Sequence, residues 1–281
     1  MKKLLTTTLL ALASVALIAT SAKATVTAAF PDVILGFQAT GVGSSTNLEV
    51  DLGNVSQFYN ALPGSTIVLP QLSLADLQST YGGSAWNTAA EGLSFGLFAT
   101  DGNLAGTSDG HAPKDTNWLS APELTPGVAA TPLLRLNSSS NALAITVMGS
   151  VVQFLNGSPS TPNSAQSTLY PVNGANGSYT GEETFGGVPG TYWRSYHNSP
   201  DNPVSNIGTG TVAISDFYEL FPSTGTGQSG KLLGKFELFQ NGTFEFIAAP
   251  VPEPSSIGLL GVGFLSLVGM VVLRRRRSVV A

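Results

Sequence analysis

Between Lys235 and Ile247 the chain reads Lys-Phe-Glu-Leu-Phe-Gln-Asn-Gly-Thr-Phe-Glu-Phe-Ile, two alternating apolar stretches around Asn241-Gly242. Alternation with period two buries one face of a strand, and an Asn-Gly pair supplies the two positive φ angles of a type I′ turn. The segment is therefore expected to form a hairpin with a two-residue loop. Such a loop sets Phe239 opposite Phe244 and Glu237 opposite Phe246. Further short runs at residues 33–37, 47–52, 93–98, 143–148 and 211–214 are separated by clusters of Gly, Asn, Ser and Pro. Short runs between turn residues predict a mainly β fold, an antiparallel β-sandwich or barrel-like domain.

One short helix interrupts the pattern. Ser73-Leu-Ala-Asp76 has capping-box spacing, Leu74, Leu77 and Tyr81 recur on one helical face, and Gly82-Gly83 supplies a left-handed stop. Residues 156–181 are rich in Ser, Pro, Asn and Gly and are expected to form a long surface loop or a joint between two lobes. Gly 32 and Pro 17 make 49 of 281 residues. That share stays below the roughly 25–30 % that would mark a disordered low-complexity chain.

The N-terminal residues read as a secretory leader over 1–24. Lys2 and Lys3 precede an apolar stretch from Leu4 to Ile18, and Ala22-Lys23-Ala24 offers the small-x-small site that signal peptidase accepts, with Thr25 as the first mature residue. The apolar stretch falls short of the roughly 17–25 residues a spanning helix needs. Residues 25–250 then form the exported body. Lys114, Arg135, Arg194, Lys231 and Lys235 are its only bases, against 16 of the 17 acids, a formal charge of −11. A body this acidic argues against nucleic acid as a partner, because phosphate binding needs clustered Lys and Arg. The chain has no cysteine. Thiolate zinc sites, redox dithiols and cysteine nucleophiles are thereby excluded, and the body must be held by its core alone.

Candidate chemistry in the body is sparse. Gly106-Thr-Ser-Asp-Gly110 matches the spacing of a hydrolase nucleophile elbow, which requires a strand before the serine and a helix after it. Turn-forming residues on both sides favour a surface loop instead. His111 and His197 are the only histidines, so any imidazole acid–base scheme must use one of them. The second lies in Tyr192-Trp-Arg-Ser-Tyr-His197, where Tyr192, Trp193, Arg194 and Tyr196 could form a sugar-stacking face or simply pack. Asp101, Asn103 and Asp109 resemble the start of a calcium loop, but Ala105 and Ala112 occupy ligand positions of the EF-hand pattern. Loose Ca²⁺ binding is the most that this loop predicts, and no other cofactor or catalytic set is expected. Glu182-Glu183 reads as a solvated turn.

Residues 251–281 read Val-Pro-Glu-Pro, an uncharged apolar span at 257–273, and the cluster Arg274, Arg275, Arg276 and Arg277. The span is about 25 Å long as a helix, just enough to cross a bilayer as a single transmembrane segment, with the arginines as a cytoplasmic stop. The motif, span and cluster in this order resemble the PEP-CTERM sorting signal of bacterial exported proteins. That resemblance implies a Gram-negative-type envelope and recognition of Val251, Pro252, Glu253 and Pro254 by an exosortase, a membrane transpeptidase that removes the tail. It implies passage through the inner membrane, with the ectodomain first in the periplasm and then at the cell surface or in extracellular polysaccharide. Prolines fix φ and keep such a segment extended and unpaired. Residues 34–41 and 45–53 are also similar to uncharacterised ectodomains that travel with this signal. The expected function is a non-enzymatic surface or matrix protein, with a module for the cell's own exopolysaccharide as the alternative and an extracellular hydrolase third.

Overall fold

A computed structural model describes residues 28–102, 107, 109–123, 125–135, 138–155, 167–171, 202–203, 212–223 and 228–250. The leader, segments 156–166 and 172–181 of the expected loop, the 192–197 segment and everything from 251 onward lie outside the described residues; residues 167–171 of that expected loop instead form a strand paired with residues 46–50.

The strands are β1 (Asp32–Gln38), β2 (Thr46–Asn54), β3 (Thr66–Val68), β4 (Ser94–Thr100), β5 (Asn117–Pro122), β6 (Ser167–Pro171), β7 (Asn202–Pro203), β8 (Ala213–Leu220), β9 (Lys231–Leu238) and β10 (Phe244–Ala248). They form one antiparallel sheet in the order β3-β10-β9-β8-β5-β4-β1-β2-β6, with β7 paired to β4. The mainly β expectation holds, but the sheet is a single curled half-barrel and not a two-sheet sandwich. Its curl is measurable in its side chains. On a flat sheet β4 and β10 would lie about 19 Å apart, four spacings of about 4.8 Å. Yet the rings of Phe95 on β4 and Phe244 on β10 are 5.9 Å apart and edge-on.

The alternation read from the sequence fills the concave face of the sheet. Val33, Leu35 and Phe37 on β1, Leu48, Val50 and Leu52 on β2, and Phe95, Leu97 and Ala99 on β4 all point into the concave side. Helix α1 (Ser56–Tyr59) inserts Phe58 there, with ring centroids 6.1, 5.3 and 5.0 Å from Phe217, Phe236 and Phe246. Each aromatic pair of this kind adds about 0.5–1.5 kcal/mol beyond the area it buries.

Helix α2 (Leu74–Thr80) forms where capping chemistry placed it. Ser73 Oγ accepts a hydrogen bond from the Asp76 amide at 3.1 Å, and Gly82 follows in the left-handed region at φ 84°. The reciprocal bond of a capping box is replaced, because the Asp76 carboxylate takes the Ser73 hydroxyl at 2.7 Å. Tyr81 is fully buried and its hydroxyl accepts from the Leu48 amide at 2.8 Å, tying the helix to β2.

Two expectations are corrected. Residues 143–148 belong to helix α3 (Ser138–Leu155), not to a strand, so the body has more than one helix. The short run 143–148, with β-branched Ile145-Thr146-Val147, reads as a strand, but Ile145, Met148, Val151, Val152 and Leu155 recur at helical spacing. Met148, Val151, Val152 and Leu155 pack with Ile34, Phe98, Leu119 and Tyr218 on the convex face. Tertiary burial on one stripe outweighs local β propensity.

The 235–247 hairpin forms with its register moved by one residue. Phe246 pairs with Phe236, Phe244 with Leu238, and Glu245 with Glu237. The Phe239 amide bonds the Thr243 carbonyl and the Gly242 amide bonds the Phe239 carbonyl, giving a three-residue loop in which only Gly242 has positive φ, at 80°. A two-residue loop would place Glu245 on the face that buries Phe236 and Leu238. The longer loop gathers Phe236, Leu238, Phe244 and Phe246 on the concave face, and burial of that face decides the register.

A Cβ at Gly242 would meet Leu74 Cβ at 2.7 Å in a backbone conformation that L-residues avoid. Gly242→Ala is therefore expected to lower the unfolding free energy by about 2 kcal/mol, read from urea midpoints. An unchanged midpoint would contradict the three-residue loop.

Candidate functional site

The last strand delivers the chain to one end of the sheet. Ala248 donates to the Ser65 carbonyl at 2.9 Å and its own carbonyl accepts from Gly64 at 3.1 Å. Ala249 still donates to the Leu233 carbonyl at 2.8 Å, so the backbone is held by the sheet until two residues before Val251. The same end of the sheet carries the C-terminal end of β8, the N-terminal ends of β5 and β9, and α1.

A polar network sits at that end, on the rim of the concave core. Glu219 is fully buried near the end of β8. One carboxylate oxygen, Oε1, lies 2.8 Å from His111 Nε2 and accepts from Trp118 Nε1 at 3.1 Å; the other accepts from Lys231 Nζ at 3.4 Å. His111 stacks flat on Tyr59 of α1, with ring centroids 3.8 Å apart. The Tyr59 hydroxyl donates to Asp109, whose other oxygen accepts from the His111 amide at 3.0 Å. Burial, reinforced by the bond to Asp109, pushes Tyr59 up to about 12. Bonds from Thr107 and Tyr59 hold the exposed Asp109 down at about 2. The network joins three separate parts of the chain around one carboxylate. It is built as a clamp: each polar atom named here has a partner within the network.

The family model for the PEP-CTERM protein-sorting motif matches residues 250–277. Those residues are a PEP-CTERM sorting signal. No curated protein and no solved structure matches the chain. The PEP-CTERM signal implies export, membrane-associated sorting and processing by an exosortase. Its first matched residue, Pro250, immediately follows the hydrogen-bonded Ala249, so the signal begins where the sheet ends.

The remaining candidates fall out as follows. Val251, Pro252, Glu253 and Pro254, Arg274 to Arg277, the cleavage residues Ala22, Ala24 and Thr25, and the aromatic segment with Tyr192, Trp193, Arg194, Tyr196 and His197 lie outside the described residues. So does Ser108 of the elbow pattern, but its surroundings are visible. Thr107 accepts from Gly110 and pairs with Ala112, and the chain then runs through turns into β5 with no helix, which removes the context a nucleophile elbow requires. In the calcium-like loop, Asp101 is buried and takes the Thr116 amide at 3.4 Å, while Asp109 is held by Tyr59 and His111. Among the described residues no three His, Asp or Glu side chains converge as a metal site, and no helix is long and apolar enough to cross a membrane. Sequence reasoning singled out His111 and Asp109 but missed Glu219, Trp118, Tyr59 and Lys231. The local clue was a second acid, after Asp216, in the run Ala-Ile-Ser-Asp-Phe-Tyr-Glu-Leu of β8.

A second pair of acids lies across β1 and β2. Asp51 accepts from the Gly53 amide at 2.7 Å, and burial pushes it up to about 6, with the nearby Asp32 adding to the rise. Burial also raises Asp32. The fold thus favours protonated Asp51. Its contribution is complete below the ordinary value of 3.8 and is lost as pH rises through about 6. Moving from pH 7 to pH 5 should therefore raise the urea midpoint more in the parent protein than in Asp51→Asn, which keeps an oxygen for Gly53. Equal shifts would reject the assignment.

Burial also ranks the partners of the Glu219 clamp. Glu219→Ala opens a hole and strands the Trp118 indole N–H, an expected loss of about 3 kcal/mol by chemical denaturation. Lys231→Ala removes a largely exposed partner and should cost below about 1 kcal/mol.

Proposed function

We propose that the protein is a non-enzymatic exported surface or matrix protein whose half-barrel body is carried through the envelope by its PEP-CTERM signal. In this reading the leader 1–24 is removed by signal peptidase. The apolar span 257–273 holds the chain in the inner membrane with the body in the periplasm. An exosortase then acts at Val251-Pro-Glu-Pro254, and the body passes to the cell surface. The observation that carries the reading is the PEP-CTERM signal joined directly to β10. It is supported by the use of His111 as a structural partner of Glu219 and Tyr59, an arrangement that leaves its Nε2 engaged with a buried carboxylate.

Deleting residues 251–281 is expected to release the body into the periplasm or medium. Fractionation with an antibody to the body reads the outcome, and normal surface delivery of the truncated chain would refute the sorting role. The intact mass of surface-extracted protein should correspond to a chain lacking both the leader and the apolar span.

A further inference from the structure

We infer that the end of the sheet from which the PEP-CTERM signal leaves rests on an anionic lipid bilayer until the signal is removed. The inference deepens the proposed function and depends on the span 257–273 being the anchor.

The tether is short. Between Ala249, the last residue bonded to the sheet, and Ile257 the chain can extend at most about 29 Å. A tether of that reach keeps the end of the sheet that holds Ala249 nearest the lipid.

That end differs from the rest of an acidic surface. Leu62 is 76 % exposed in the turn whose Gly64 bonds Ala248; Leu232 is 41 % exposed beside the Leu233 carbonyl that holds Ala249. Leu134 is 51 % exposed and pairs with Ser229 just ahead of β9. Singly, exposed leucines mean little. Here they share one end with Lys114, Lys231 and Arg135, three of the five bases in the body. Lys114 is exposed ahead of β5; Lys231 opens β9 with its side chain 56 % exposed, although its Nζ also pairs with the buried Glu219 at 3.4 Å; and Arg135 bonds the Phe221 and Pro222 carbonyls, neutral partners that satisfy part of its fork. Of the acids at this end, Glu219, Asp32, Asp51 and Asp101 are buried, Asp115 is half-buried, and Asp109 is exposed as an opposing surface charge. Leucines that enter the headgroup boundary, flanked by bases that meet lipid phosphates, are the chemistry of a shallow contact with an anionic bilayer.

The absence of cysteine makes the test direct. Single variants Leu62→Cys and Leu232→Cys at the tethered end, and Val42→Cys and Val128→Cys as controls away from it, are made in the full chain. Each carries an environment-sensitive fluorophore and is reconstituted in vesicles of phosphatidylethanolamine and phosphatidylglycerol, or of phosphatidylcholine alone. The labels at 62 and 232 should be blue-shifted and several-fold less accessible to an aqueous quencher than those at 42 and 128. The protection should fall in neutral vesicles and in Lys114→Glu. Equal quenching at all four positions in protein that floats with the vesicles would overturn the contact and leave the anchor intact. Equal protection in lipid-free protein would overturn it by showing that the chain itself covers these sites. Failure of the full chain to float would overturn the anchor, and the contact with it.

Discussion

The curl of the sheet depends on an aromatic seam. Phe58 from α1 fills the space in front of Phe217, Phe236 and Phe246, while Phe95 reaches across the concavity to Phe244. With no cysteine in the chain, these rings do the work that cross-links do in many exported domains. They also set the boundaries of everything around them. The hairpin takes the register that keeps Phe236, Phe244 and Phe246 on one face, α2 packs where Tyr81 can reach β2, and α3 is left to cover the other face.

The polar side chains obey the same geometry. Glu219 follows the alternation of β8 and so points into the concave side at its rim, where a bare carboxylate would be expensive. Trp118 comes from the neighbouring strand, Lys231 from the strand on the other side, and His111 from the loop before β5. The clamp is a local answer to one buried charge, and it fastens α1 and the loop before β5 to the sheet.

Much of this was legible in the chain. The cores of β1, β2 and β4, the capped helix α2 and the existence of the last hairpin follow from alternation, cap residues and the Asn-Gly turn. The hairpin register was also recoverable: a sorting of Phe and Glu by face rejects the two-residue loop. What the sequence hides is long-range. His111 and Trp118 lie 108 and 101 residues from Glu219, and only the order β4-β5-β8-β9 brings them together. For the same reason periodicity within strands could not distinguish one curled sheet from two stacked ones. The PEP-CTERM signal was readable in full because it is a contiguous peptide that needs no partner from elsewhere in the chain.

The pairing of β3 with β10 has a consequence for synthesis. Edge strand β3 is made early, and its partner is the last strand before the PEP-CTERM signal. A polypeptide that stops short of β10 leaves β3 unpaired and Phe58 without Phe246. The same polypeptide has no signal for an exosortase to recognise. Shape and sorting signal are completed by adjoining codons, so a product that stops short lacks both the partner of β3 and the PEP-CTERM signal.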